Sequence, residues 1–276
     1  MKFKYLGTAA AEGIPAIYCN CEVCQTARKL GGRELRSRSQ ALVDDKLLID
    51  FPCDTYWHAI TYGIDLTKIK HILITHSHND HFYPLDMAYI RKSFAHLPDD
   101  FEPVTVYGNQ EIGAGMHLDE NNFMDPDHRL RFELVKPFES FQAGGFLVTP
   151  LPACHGTKDP YIYLLNKDGK SILYAHDTGR IFPEVILFLK ENGVVLDLIS
   201  LDCTEADKPI DYSSHMNLER NIICRNEMKE AGIVCGHTVC VLNHFSHNGG
   251  RLYRDFVKIA EKEGFLVSYD GMEICL

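Results

Sequence analysis

Two packed β-sheets with helices on their outer faces, an α/β (α+β) architecture in one domain over residues 1–276, is the fold the sequence predicts. Three observations carry it. Short β-rich runs follow one another early in each half of the chain, joined by the turn signals Asp44-Asp45 and Asp168-Gly169, which implies antiparallel hairpins. Each half then lengthens its connections and alternates with helical patterns, which suits two sheets better than one doubly wound sheet. Hydrophobic content of 45% with 24% charged residues is that of a globular chain able to bury a core.

In the first half, strands are predicted over residues 3–6, 40–44, 46–51, 71–75 and 104–107. A helix follows over 85–96, and the polar stretch 110–129 reads as an irregular or helical excursion. In the second half, strands are predicted over 132–136, 146–150, 161–166 and 171–175. Pro183 starts a helix that Gly193 ends, residues 196–201 form a buried strand and 217–231 a second helix. Strands at 239–243 and 265–269, with a helix over 251–263 between them, close the pattern.

No tandem repeat is visible, which excludes solenoids and propellers. The longest apolar stretch, 194–201, falls short of the roughly 20 residues of a membrane span. The N-terminus lacks the apolar core of a signal peptide, so a cytoplasmic location and no membrane partner are expected. Ten cysteines in a chain of this kind are read as reduced core thiols or metal ligands. Lys plus Arg total 28 against 38 Asp plus Glu, a net charge of 28 − 38 = −10, which argues against a nucleic acid partner. A homodimer is compatible with the sequence, which does not specify one.

Chemistry concentrates in the run Thr75-His-Ser-His-Asn-Asp-His81. His76, His78, Asp80 and His81 leave the apolar strand Ile72-Leu73-Ile74, where a turn points alternate imidazoles at one spot and Asp80 with His81 at another, an arrangement suited to two adjacent cations. A solvated polar loop is the blander account of these residues. His155, Asp177 and His244 each follow an apolar run as well. One such residue alone is more often a turn residue, but the three together supply the further ligands that a pair of ions requires.

With these residues in this order the sequence resembles the metallo-β-lactamase superfamily, in which an HxHxDH run, a later His, a bridging Asp and a final His hold two metals. The resemblance spans the chain and implies a four-layer αββα sandwich with the site at one edge of the sheets. It further implies that His76, His78 and His155 bind one ion, that Asp80, His81 and His244 bind the other, and that Asp177 bridges them.

Cys19-Asn-Cys21-Glu-Val-Cys24 sets three thiols among polar neighbours, a spacing that aims the sulfurs at one ion, and it predicts a structural zinc rather than three separate buried thiols. His247, three residues after His244, is the candidate fourth ligand. The combination resembles the PhnP-type phosphodiesterases of the carbon-phosphorus lyase pathway. Gly13-Ile-Pro-Ala16, Val148-Thr-Pro-Leu-Pro152 and Tyr269-Asp-Gly-Met-Glu-Ile274 resemble that family too. Thr8-Ala-Ala-Ala11, where the family has glycines, and His176, where a serine commonly precedes the bridging Asp, depart from it.

His215 matches a family histidine implied to assist leaving-group departure. Read without the resemblance, it equally sits at a helix start that Ser213, Ser214 or Asn217 caps. Arg180 is read as a surface arginine, and Phe82 and Tyr83 either line the pocket or cover the helix start. Cys53, Cys154, Cys203, Cys224, Cys235, Cys240 and Cys275 are read as buried single thiols.

The expected activity is hydrolysis of a small or cyclic phosphodiester by a water activated between two divalent ions, zinc or manganese or iron, with catalytic roles for Asp177 and His215. Three readings compete with it: an RNA-processing ribonuclease of the same superfamily, a lactone or thioester hydrolase, and a non-catalytic metal-binding protein.

Overall fold

In the computed structural model, which describes residues 1–116, 125 and 127–276, strand alternation sorts the apolar residues into three layers of core. The first half runs β1 (Lys2–Gly7), α1 (Glu22–Leu30), β2 (Gln40–Val43), β3 (Leu47–Ile49), α2 (Thr55–Tyr62), β4 (His71–Leu73), α3 (Pro84–Met87), β5 (Val104–Gly108), α4 (Gln110–Met116) and β6 (Leu130–Leu134). Then come β7 (Phe141–Ala143), β8 (Phe146–Pro152), β9 (Tyr161–Lys167), β10 (Lys170–Ala175), α5 (Pro183–Glu191) and β11 (Leu198–Asp202). The chain ends with α6 (Leu218–Glu230), β12 (Val239–Asn243), α7 (Tyr253–Ala260), β13 (Leu266–Val267) and β14 (Glu273–Cys275).

One sheet has the order β14-β1-β2-β3-β4-β5-β6 and the other β13-β12-β11-β10-β9-β8-β7. In β3, Leu47 and Ile49 face the second sheet while Leu48 faces outward; in β10, Ile172 and Tyr174 face the first sheet while Leu173 and Ala175 face outward. The inner residues form the layer between the sheets. Outward residues of the second sheet pack with α5, α6 and α7, and those of the first with Met87 of α3 and Ile112 and Met116 of α4. The result is the four-layer αββα sandwich.

Each sheet changes from antiparallel to parallel pairing at its middle strand, β3 in one and β10 in the other. Asp44 (φ 50°) and Asp45 (φ 54°) turn β2 into β3, and Asp168 (φ 50°) and Gly169 (φ 74°) turn β9 into β10. The parallel strands beyond those points end together at one edge, and the sheets are tied there by buried hydroxyls. Tyr163 Oη donates to the Ile74 carbonyl at 2.8 Å and Tyr5 Oη to Ser200 Oγ at 2.9 Å.

The expected helix over 85–96 is a short α3 continued by a 3-10 turn at Ala88–Ile90, because Leu85, Tyr89 and Phe94 face solvent and no apolar stripe holds a longer one. Of the stretch 110–129, α4 is helical, and 117–124 and 126 lie outside the described residues. Helices α1 and α2 and the three-residue strands β7 and β14 were not expected from the sequence. No helix of the described residues is long and apolar enough to cross a membrane.

A buried polar network joins α2 to β2 and the C-terminal turn. His58 Nδ1 lies 2.6 Å from Gln40 Oε1 and its Nε2 lies 2.7 Å from Ser37 Oγ, which in turn is 2.6 Å from Asp270 Oδ2. Burial holds the His58 pKa down to about 4, opposed only weakly by Asp54. An unfolded chain binds that proton more readily, so the stability this neutral imidazole represents is present above pH 6.5 and is lost as pH falls through 4. Asp270, pushed up to about 6 by burial, acts with the opposite sign over an overlapping range. Urea unfolding of His58→Gln should therefore lose less stability between pH 6.5 and 4 than the native chain, by up to about 3 kcal/mol; parallel pH profiles would contradict the assignment.

Candidate metal centre

The chemistry-bearing side chains sit where the parallel strands end. Asp50 follows β3, His76 to His81 follow β4, Asp177 follows β10, Asp202 closes β11 and His244 follows β12. Asp50 (φ 66°), Asp177 (φ 48°) and His244 (φ 63°) hold left-handed backbone, a conformation costly for residues other than glycine and concentrated at functional sites. The kinks turn these side chains off their sheets toward one another.

Two donor sets result. His76, His78 and His155 bring one nitrogen each within 4.8 Å of the others, as do the donor atoms of Asp80, His81, Asp177 and His244. His78 Nδ1 lies 3.0 Å from His76 Nε2 and 3.1 Å from His155 Nε2. Asp177 Oδ2 lies 3.3 Å from His76 Nε2 and 2.5 Å from His81 Nε2, so one carboxylate oxygen touches both sets. Asp177 Oδ1 is 3.3 Å from His244 Nε2, and Asp80 Oδ2 is 3.3 Å from His81 Nε2. Ligands about 2.0 to 2.1 Å from a tetrahedral zinc ion stand about 3.3 Å apart, close to the 3.3 Å that separates Asp177 from His76 and from His244, and Asp80 from His81.

Charge supports the same reading. Asp50, Asp80, Asp177 and Asp202 are each no more than 8% exposed, and their ion-pair partners are histidines. Burying that much negative charge without cations is unfavourable. The protein's protons feel it: although burial opposes the charged form, Asp177, Asp80 and Asp50 raise His81 well above the usual histidine value. Asp177 Oδ1 is buried with no hydrogen-bond partner of its own. Imidazoles, carboxylates and an orphaned buried oxygen together fit divalent cations.

Two orienting carboxylates were not singled out from the sequence. Asp50 Oδ2 accepts from His81 Nδ1 at 2.7 Å, while its Oδ1 accepts from the Thr75 amide and hydroxyl, each at 2.9 Å. Asp202 Oδ2 accepts from His215 Nδ1 at 2.9 Å, and its Oδ1 accepts from the amides of Thr204 at 3.1 Å and Met216 at 2.9 Å. So many donors on Asp202 make it an orienting group rather than a ligand, although it also clusters with Asp177, His215 and His244. Both follow apolar runs, the signal that had picked out Asp177.

Asn217 caps α6, its side chain accepting from the Arg220 amide at 3.0 Å. That cap is one the sequence offers beside an exposed His215, yet His215 is packed into the site, its ring parallel to that of His244 at 5.6 Å and edge-on to His155 at 5.0 Å. Burial lowers its pKa, but Asp202 and then Asp177 and Glu205 outweigh this and raise it to about 9. With Nδ1 engaged, Nε2 is the nitrogen left for the cleft of about 290 Å³ that His215 lines with His78, Asp80, His155, Asp177 and His244. Gly179 lies so close that a Cβ there would sit 1.6 Å from the Ser213 carbonyl, so only glycine lets the His215 segment approach.

Other candidates fall outside the cleft. Phe82 is buried in the core beneath α4, Tyr83 does not line the cleft, and Arg180 lines a separate surface depression with Ser213 and Arg220. His176 faces inward, its Nε2 2.7 Å from Ser200 Oγ and its Nδ1 3.1 Å from Asn243 Nδ2. Of the single thiols, Cys203, Cys224 and Cys240 are buried as expected, whereas Cys53, Cys154 and Cys235 are half-exposed and Cys275 is exposed, because they sit in turns or at the sheet edge.

Cys19, Cys21, Cys24 and His247 form a fourth donor group. His247 Nδ1 is 3.5 Å from both Cys19 Sγ and Cys21 Sγ, and Cys21 stands at the N-cap of α1, where amide donors favour thiolates. Burial raises the Cys21 thiol, but the Cys24 amide, His247 and the neighbouring sulfurs bring it down to about 6. Thiolates of that kind select zinc.

A family model described as the Beta-lactamase superfamily domain matches residues 54–244. An octanoyltransferase of Porphyromonas gingivalis is 25% identical over 282 residues, which is 99% of this chain and 51% of that protein. A ribonuclease Z of Listeria innocua is 26% identical over 212 residues, 72% of this chain and 60% of the relative. The chain thus spans between half and three-fifths of the length of these curated relatives. A crystal structure of a diphosphatase from the PhnP family superimposes with a TM-score of 0.77 at 22% identity, covering 100% of this chain and 97% of that one, a likeness of fold.

Two substitutions test the geometry. Gly179→Ala should force the His215 segment outward, lowering stability by about 1–3 kcal/mol and turnover roughly tenfold or more while metal content stays unchanged; a variant with native turnover would contradict the close approach. Cys21→Ser should lose one zinc per chain and melt earlier, since a closed site contributes its binding energy to folding. An unaltered melting temperature and zinc content would argue that the cluster is empty.

Proposed function

This chain belongs to the beta-lactamase superfamily, and on that premise we propose that it is a dinuclear-metal phosphodiesterase acting on a small or cyclic phosphodiester. The observation that carries the reading is the single cleft in which two donor sets adjoin through Asp177 while His215, oriented by Asp202, faces the same space. His76, His78 and His155 would hold one ion and Asp80, His81 and His244 the other, with Asp177 shared. Zinc, manganese or iron suits such mixed ligands, and zinc the separate thiolate site.

When bound, the two ions supply activation of a water and neutralise charge on phosphoryl oxygens. The chain's own groups do the rest. Asp50 and Thr204 lock the rings of His81 and His244 by hydrogen bonds of 2.7 and 2.9 Å to their outward Nδ1 atoms, which leaves each Nε2 for the site. Asp202 fixes His215 so that Nε2 delivers a proton to the departing alkoxide, a contribution of about 10² to 10⁴ in rate.

The ribonuclease Z match favours a second reading, cleavage of precursor transfer RNA. A net charge of −10 weighs against it, since a long phosphate backbone calls for a basic surface. A panel of metal-loaded protein against cyclic phosphodiesters, linear dinucleotides, precursor transfer RNA, lactones and thioesters discriminates, with turnover of the cyclic or small diesters expected. Within it, His215→Ala should slow an alkyl diester at least 100-fold yet barely affect a nitrophenyl diester, whose leaving group needs no proton. Equal losses on both esters would remove the acid role.

A further inference from the structure

We propose that Glu12 and Glu205 form a charge filter in the lining of the cleft, admitting a phosphodiester that carries one negative charge and disfavouring phosphomonoesters and diphosphates that carry two or more. This rests on the phosphodiesterase reading above and narrows its substrate class.

Both carboxylates line the cleft that holds His78, Asp177 and His215, and among the described residues lining it there is no lysine or arginine. That is an unusual surround for a site meant to take phosphate, where guanidinium and ammonium groups ordinarily assist. Two basic residues on neighbouring segments are committed to backbone. Lys208 Nζ donates to the Asn248 carbonyl at 3.0 Å, and Arg220 Nη1 donates to the carbonyls of Tyr212 at 2.6 Å and His215 at 3.0 Å. The acids, by contrast, are held in place. Glu205 Oε1 accepts from the Tyr212 hydroxyl at 2.7 Å, and Tyr212 lines the cleft beside it. Glu12 Oε1 accepts from the Ser246 hydroxyl and lies 3.6 Å from His247 Nε2.

His247 is also the histidine whose Nδ1 faces the sulfurs of Cys19 and Cys21. A carboxylate on the far nitrogen of a metal-facing imidazole is the usual second partner of such a histidine. Glu12 is thus tied to the thiolate cluster on one side and to the cleft on the other. Two divalent ions bring four positive charges against the two negative charges of Asp80 and Asp177, and Glu12 and Glu205 in the same lining offset the other two. Every additional negative charge on the ligand then stands opposite Glu12 and Glu205, in a cleft where charges are only partly screened. A monoester takes on that second charge above its second pKa of about 6.

The test is calorimetric binding of inorganic phosphate and of dimethyl phosphate to metal-loaded protein at pH 8, with wild type, Glu12→Gln, Glu205→Gln, the double variant, and Glu230→Gln as an exposed remote control. Phosphate affinity should rise about tenfold in the double variant and about threefold in each single variant, dimethyl phosphate should change less than twofold, and the control should match wild type. In kinetics, the ratio of kcat/KM for 4-nitrophenyl phosphate over methyl 4-nitrophenyl phosphate should rise by the same factor, through KM. Unchanged phosphate affinity, or equal shifts for both anions, would overturn the filter. Should the double variant fail to fold, Glu205→Gln alone decides by the same threefold criterion. A wild type that turns over no diester would defeat the phosphodiesterase reading, while the binding comparison would still decide the filter.

Discussion

Buried acid is the constraint on which the rest of this structure depends. Asp50, Asp80, Asp177 and Asp202 lie at the edge where both sheets end, largely buried and facing imidazoles instead of lysine or arginine. Such a set is stable only when positive charge is delivered to it. The fold delivers the geometry: both sheets switch to parallel pairing at β3 and β10, so the carboxyl ends of several strands open at one edge, the usual place for a ligand site in sheets of this kind. Left-handed backbone at Asp50, Asp177 and His244 then turns the donors inward, at a local cost that the surrounding sandwich must absorb.

The two donor regions are not independent. His244 and His247 lie on one short loop after β12, so the group that faces Asp177 and the group that faces the cysteines are three residues apart. Ser246 between them reaches Glu12, and the backbone of Ala10 and Phe245 is hydrogen-bonded at 3.0 Å. An ion held by the cysteines would therefore pin the N-terminal segment and the His244 loop together. Stability, in this arrangement, is positioned where it also shapes the cleft.

How much of this could be read from the sequence follows from locality. His76, His78, Asp80 and His81 are legible because four donors fall within six residues behind an apolar strand, and His155, Asp177 and His244 because each ends a run of core residues. Asp50 and Asp202 carry the same mark, yet their roles arise only from partners across the fold, His81 at 31 positions away and His215 at 13. Helix α2 was invisible for a different reason: Tyr56, Trp57 and Ile60 face solvent, so its apolar residues draw no core stripe. Over 85–96 the opposite holds: the spacing of Leu85, Tyr89 and Phe94 predicts a helix, but these apolar residues face outward and anchor none of that length. Strands β7 and β14 are three-residue edges whose pairing is set by their neighbours.

We propose that the acid-rich edge holds two metal ions and that the thiolate site holds a third. Native mass spectrometry of the purified chain measures this most directly. Three divalent ions per chain are predicted for the native protein, with Asp177→Ala retaining only the thiolate-bound ion. A folded native chain that carries no more than that one ion, even after incubation with excess zinc or manganese, would contradict the account.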